Sequence, residues 1–158
     1  MLIIFYLWKE DQLEKPVLFL SSFFKKHQEL CYEKLSGYHD GDVAGWIDFF
    51  LEGVIEIAQE AIETVGKITA LRERDIMKIH TLGKRSTESA SLVLPRLYQQ
   101  PIVNVAAVQS WTGFTRGGAQ TIINRFVSMG ILKAKDEERK YAQSYVYDEY
   151  IRIFTQSD

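Results

Sequence analysis

The sequence predicts a mainly α chain, with a helical portion over residues 1–100 followed over residues 101–158 by a helix-turn-helix carrying a small β-hairpin. Three observations carry that expectation. Apolar residues recur at three- and four-residue spacing through most of the stretch from Phe23 to Ile68. Asn104 and Thr115, both good helix N-caps, open two short helical patterns separated by Gly113. β-branched and aromatic residues then gather on both sides of a polar turn in "ILKAKDEERKYAQSYVY".

Composition sets the frame. The 158 residues are 46% hydrophobic and 25% charged, enough to bury a core without disulfides or metal. A formal net charge of −2 gives no whole-chain field toward nucleic acid. Cys31 is the only cysteine, so a reducing, cytoplasmic compartment is expected, with the thiol a buried structural residue rather than a nucleophile.

The chain opens "MLIIFYLWKE". This run lacks the basic region and cleavage site of a signal peptide. It is also well short of the roughly 20 apolar residues of a membrane span, so no membrane partner is expected. A buried strand or a buried helix remains, and periodicity does not separate them over so short a run.

After Pro16, Ser21 or Ser22 can cap a helix whose face is Phe23, Phe24, His27, Leu30, Cys31, Lys34 and Leu35, ended by Gly37 and "HDGD". Asp40 and Asp42 around Gly41 faintly suggest a calcium loop, but further ligands are missing, and a turn plus N-cap is the better reading. Asp42 then caps a long helix toward Gly83. Its apolar seam is Ile47, Leu51, Val54, Ala58, Ala61, Val65 and Ile68, widened by Phe50, Ile55, Ile57 and Ile62. Carboxylates crowd its first half and Lys and Arg its second, an order that complements the helix dipole. "STESASLVLPRLYQQP" follows as a polar linker and a short helix that Pro95 bends or interrupts, and composition changes near residue 100.

In the last sixty residues, Asn104 caps a helix to about Trp111. Gly113 turns the chain, Phe114 points inward, and Thr115 caps a second helix that ends at Gly130. The hairpin follows with its tip at Asp136 to Lys140. Helix-turn-helix plus hairpin is a winged helix. Its recognition helix would present Arg116, Gln120, Thr121, Asn124 and Arg125 to DNA, with Arg139 and Lys140 reaching the backbone from the wing. Gly117 and Gly118 leave amides open near that helix's N-terminus. From Pro101 onward, however, seven Lys and Arg face six Asp and Glu, so a single copy is expected to bind DNA weakly or not at all.

No catalytic, cofactor-binding or metal-ligating residue can be nominated. His27, His39 and His80 are dispersed, and there is no P-loop, dinucleotide fingerprint or nucleophile elbow.

"KPVLFLSSFFKKHQELCYEKL", then "GDVAGWIDFFLEGVIEIAQEA", then a winged helix, resembles the C-terminal part of a Fic-family protein over essentially the whole chain. The resemblance implies a family activity of AMP transfer from ATP to protein hydroxyls. In that family the work is done by a His-Pro-Phe-x-x-Gly-Asn-Gly-Arg loop, with ATP and a divalent metal as cofactors. This sequence lacks that motif, so no cofactor is expected in this chain and no activity from it alone. The opening run then corresponds to the helix following the catalytic loop, and Leu2, Ile3, Phe5, Leu7 and Trp8 become candidates for self-association or for contact with the missing N-terminal Fic part. Two other readings stay open: a winged-helix DNA-binding transcriptional regulator with a helical dimerisation region, and a protein-interaction module that modulates a Fic enzyme.

Overall fold

The computed structural model describes residues 9–11, 20–136 and 143–155. The self-association candidates Leu2, Ile3, Phe5, Leu7 and Trp8, and the wing-tip candidates Arg139 and Lys140, lie outside the described residues. The chain is mainly helical with one small three-stranded antiparallel sheet. No helix among the described residues is long and apolar enough to cross a membrane. Two compact units divide the chain, Met1–Glu63 and Thr64–Asp158.

The first unit contains α1 (Leu20–Lys26), α2 (Gln28–His39) and the beginning of α3 (Val43–His80). The single helix expected from Ser21 onward is broken at His27, whose φ of −112° and ψ of 39° leave the helical region. Helical bonding nearly survives the kink: His27 N–H reaches Phe23 O and Cys31 N–H reaches His27 O, both at 2.9 Å. Ser21 and Ser22 fall inside α1 instead of capping it. Gly37 also stays helical. The helix ends within "HDGD" as expected, and the chain turns at Gly41, where φ is +103°, a conformation that glycine adopts without a Cβ penalty. Asp42 then caps α3 as expected, its Oδ1 accepting from Gly45 N–H at 3.0 Å.

Leu20, Phe23, Phe49 and Ile57 are the buried centre of this unit, with Phe24, Trp46, Phe50 and Val54 around them. Gly53 permits the contact, because a Cβ there would meet the Phe23 ring at 2.5 Å. The buried face of α3 is therefore the Phe49–Gly53–Ile57 stripe. The expected seam is largely outside it: Ile47 and Leu51 remain about half exposed.

The second unit holds the rest of α3, α4 (Lys84–Leu97), β1 (Ile102–Val103), α5 (Val105–Thr112), α6 (Arg116–Ser128), β2 (Lys133–Ala134), β3 (Tyr145–Val146) and α7 (Asp148–Thr155). One core joins Leu71 and Ile79 of α3, Val93, Leu94 and Leu97 of α4, Val108 of α5, Ile122, Ile123 and Phe126 of α6, and Leu132 and Tyr147 after them. This core does not part at residue 100. Two short helices bury too little apolar surface alone, and α3 and α4 supply the face they pack on, so the compact unit begins at Thr64.

The expected polar linker is helical as well: Ser86–Ser89 lie within α4, and Pro95 sits in its last turn. Thr87 Oγ1 donates toward Ile79 O and Leu82 O at 3.0 and 2.9 Å, holding the turn between α3 and α4 closed. The hairpin forms as β2 against β3, and β1 adds a third strand on the other side of β3, with Ile102 opposite Val146 and Val103 opposite Tyr145.

Candidate nucleic-acid interface

Local chemistry places α5 and α6. Asn104 Oδ1 accepts from Ala107 N–H at 2.9 Å and starts α5. Gly113, at φ +70°, turns the chain, and Thr115 Oγ1 accepts from Gly118 N–H at 3.2 Å to start α6. Gly118 thus spends its amide on the cap, and only Gly117 fits the expectation of an open one. Gly130, again at φ +70°, follows α6 and releases the chain into the sheet. Ala119, Ile122, Ile123 and Phe126 are the buried side of α6.

One flank of α6 borders a groove of about 590 Å³ lined by Asn104, Gln109, Arg116, Gln120, Asn124 and Gln143, with Val105, Ala106 and Tyr145 completing its wall. Five carboxamides and one guanidinium converge there, with no carboxylate among the described lining residues. Of the sequence-derived candidates, the structure brings Arg116, Gln120 and Asn124 together in this groove. Thr121 and Arg125 lie on the same helix outside it, and Thr121 Oγ1 is turned back to Gly117 O at 2.9 Å.

Asn104, Gln109, Gln143 and Tyr145 are site residues that sequence reasoning missed. Asn104 was legible only as a cap. Gln143 and Tyr145 arrive through the pairing of β3 with β1 and β2, which no local pattern reveals.

The groove's side chains are wired in series. Gln143 Nε2 donates to Asp136 O at 3.2 Å, and Tyr145 Oη donates to Gln143 Oε1 at 3.2 Å. Gln120 Nε2 donates both to Tyr145 Oη at 3.2 Å and to Asn124 Oδ1 at 2.8 Å. Lys133, on β2 of the sheet beside this groove, pairs with Asp148 at 2.9 Å.

A second cavity, of about 670 Å³, lies among Lys67, Arg74, Lys133, Asp148, Glu149 and Arg152. Its charges mostly satisfy one another. Arg74 Nη2 bonds Glu149 Oε2 at 2.6 Å, and Arg152 meets Asp148 at 2.9 Å. Hydrogen bonding from Arg74 holds the Glu149 carboxyl below its ordinary range, and Lys133 does the same to Asp148. These pairs fasten α7 to the rest of the unit.

Among the described residues, no group of His, Cys, Asp or Glu is placed to hold a metal ion. No protein-family model matches the chain, and no curated protein does.

Proposed function

We propose that residues 64–158 act as a winged-helix unit that binds duplex DNA, within a Fic-type chain that carries none of that family's residues for AMP transfer. The observation that supports it most is where the compact unit begins. Counted from Pro101, the basic and acidic residues nearly balance. Counted from Thr64, fourteen Lys and Arg face nine Asp and Glu, while residues 1–63 carry five against twelve. The unit that presents α6 is therefore net +5 and its neighbour net −7, so the electrostatic objection to phosphate binding falls away for the unit though not for the chain. The amide-rich lining of the groove beside α6, which includes Arg116, supports the same reading.

Binding of the full chain to a mixed-sequence duplex, followed by fluorescence anisotropy across a salt series, tests this. Affinity should fall steeply with salt, and Arg116→Ala should flatten the slope by about one unit if its guanidinium meets a phosphate. Absence of binding at low salt rules the reading out. In parallel, labelled ATP should leave no label on this chain or on added proteins. Transfer that survives repurification contradicts the inactive-Fic half of the proposal.

A second reading, as a protein-interaction module or self-associating chain, is supported by one stripe of α3. Val43, Ile47, Leu51, Ile55 and Ile62 are 46–72% exposed along it. Wet apolar side chains in a row favour burial against a partner, either another copy or the N-terminal part that Fic proteins possess. Light scattering on the wild type and on Leu51→Lys/Ile55→Lys decides it: a monomer in both cases removes self-association from consideration.

A further inference from the structure

We infer that Gln120 and Asn124 form a reader whose polarity is fixed by the fold, presenting one acceptor and one donor to an A·T pair. The inference rests on the DNA reading above and concerns which base α6 selects.

Carboxamides are ordinarily ambiguous, because oxygen and nitrogen can exchange by a half-turn and so accept or donate on either side. Here the ambiguity is removed from one end. Asp136 O is a backbone carbonyl and can only accept, so Gln143 must present Nε2 to it and Oε1 to Tyr145. Tyr145 must then give its single proton to Gln143, leaving its oxygen to accept. Gln120 must therefore turn Nε2 toward Tyr145, and the same nitrogen satisfies Asn124 Oδ1 at 2.8 Å. Both protons of Gln120 Nε2 are committed. What the pair has left, among the described residues, is Gln120 Oε1 as an acceptor and Asn124 Nδ2 as a donor, one turn apart on α6 with Asn124 exposed.

Adenine offers the complement in the major groove, a donor at N6 beside an acceptor at N7. Guanine offers two acceptors, and its O6 would face Gln120 Oε1 with no proton between them. A cytosine N4 amine facing guanine O6 could also meet one acceptor and one donor. Val105 and Ala106 in the same groove tip the choice, because they offer apolar contact to a thymine methyl that a G·C pair lacks. Tyr145 is thus a positioning residue: it touches no base and acts by denying Gln120 its second orientation.

A binding selection over random duplexes with the full chain tests this. The expected result is a consensus with one position, lost in Gln120→Ala, at which A·T exceeds G·C by roughly 10- to 100-fold, the range of a good bidentate contact. Tyr145→Phe removes the relay's acceptor and lets the Gln120 amide rotate. Preference at that position should collapse, and should fall further than affinity for mixed-sequence duplex does, since phosphate contacts carry no sequence information. Gln143→Leu frees the Tyr145 proton to point at Gln120 and should relax the same position from the rim of the groove, which keeps the test alive if Tyr145→Phe does not fold. Binding without any consensus, a G·C pair at the Gln120 position, or A·T preference retained in both relay variants overturns this inference and leaves the DNA reading standing. No binding at all overturns both.

Discussion

Removing one hydroxyl, with Tyr147→Phe, should cost the second unit a large share of its stability. Asp75 is fully buried, on a face of α3 that otherwise carries Leu71 and Ile79 into the core. Its Oδ1 has two cations nearby, Arg74 Nη2 and Lys78 Nζ, both at 3.3 Å. Its Oδ2 has the Tyr147 hydroxyl, and no other partner for that oxygen is seen among the described residues. Burial pushes the Tyr147 hydroxyl up from its ordinary pKa, with the bond to Asp75 adding to the shift, so it remains a donor throughout the usual pH range. Phenylalanine fills the same space and withdraws the proton. A hydrogen bond to a buried charge is worth about 1.5–3 kcal/mol, and the stranded oxygen is out of reach of water. About 2 kcal/mol corresponds to a fall in Tm of about 8–16 °C for a domain of this size. Urea unfolding followed by circular dichroism reads the loss directly, with an unchanged m-value showing that the unfolded state is not the cause. In an Asp75→Asn background the same change should cost only about 1 kcal/mol or less, because a neutral pair is being broken. A loss below about 0.5 kcal/mol in the wild-type background would refute the reasoning. It would mean that Arg74 and Lys78 satisfy both carboxylate oxygens unaided.

Acid should loosen α7. The Glu149 and Asp148 carboxyls are held below their ordinary values of 4.5 and 3.8, so their contribution is complete above the unfolded pKa and disappears as pH falls through the folded one. Melting temperature should drop as pH falls below about 5, and by less in Glu149→Gln, where the titrating partner of Arg74 is gone. Two glycines of α3 should respond oppositely to alanine. Gly66→Ala has open space and should stabilise by about 0.5–1 kcal/mol, whereas Gly53→Ala places a methyl 2.5 Å from the Phe23 ring and should destabilise by about 1–3 kcal/mol in thermal melts. Asn104→Ala should cost about 1 kcal/mol by removing the cap of α5, a loss visible as faster amide exchange at Ala107.

Much of the local structure was legible in the sequence. Asp42, Asn104 and Thr115 cap the helices expected of them, and Gly113 and Gly130 take left-handed turns, because each of these acts through its own backbone and the next three residues. Apolar spacing likewise gave the long helix its extent, Val43–His80. It did not give the face that is buried. On a helix with apolar residues on most sides, the choice between Ile47–Leu51 and Phe49–Ile57 belongs to the partner, here Phe23 fitted against Gly53. Tertiary pairing alone decided the rest. Ile102 becomes a strand because Val146 lies opposite it, forty-four residues on. Asp75, which no local pattern in the sequence singles out, is buried where Tyr147 reaches it from seventy-two residues away. The compact unit begins at Thr64 because α4 closes the core over α5 and α6, which moves the charge balance of the α6-bearing unit from near neutral to net positive. Caps and turns are written in neighbouring residues. Register, burial and unit boundaries depend on which distant surfaces exclude water together, and only the folded chain fixes that.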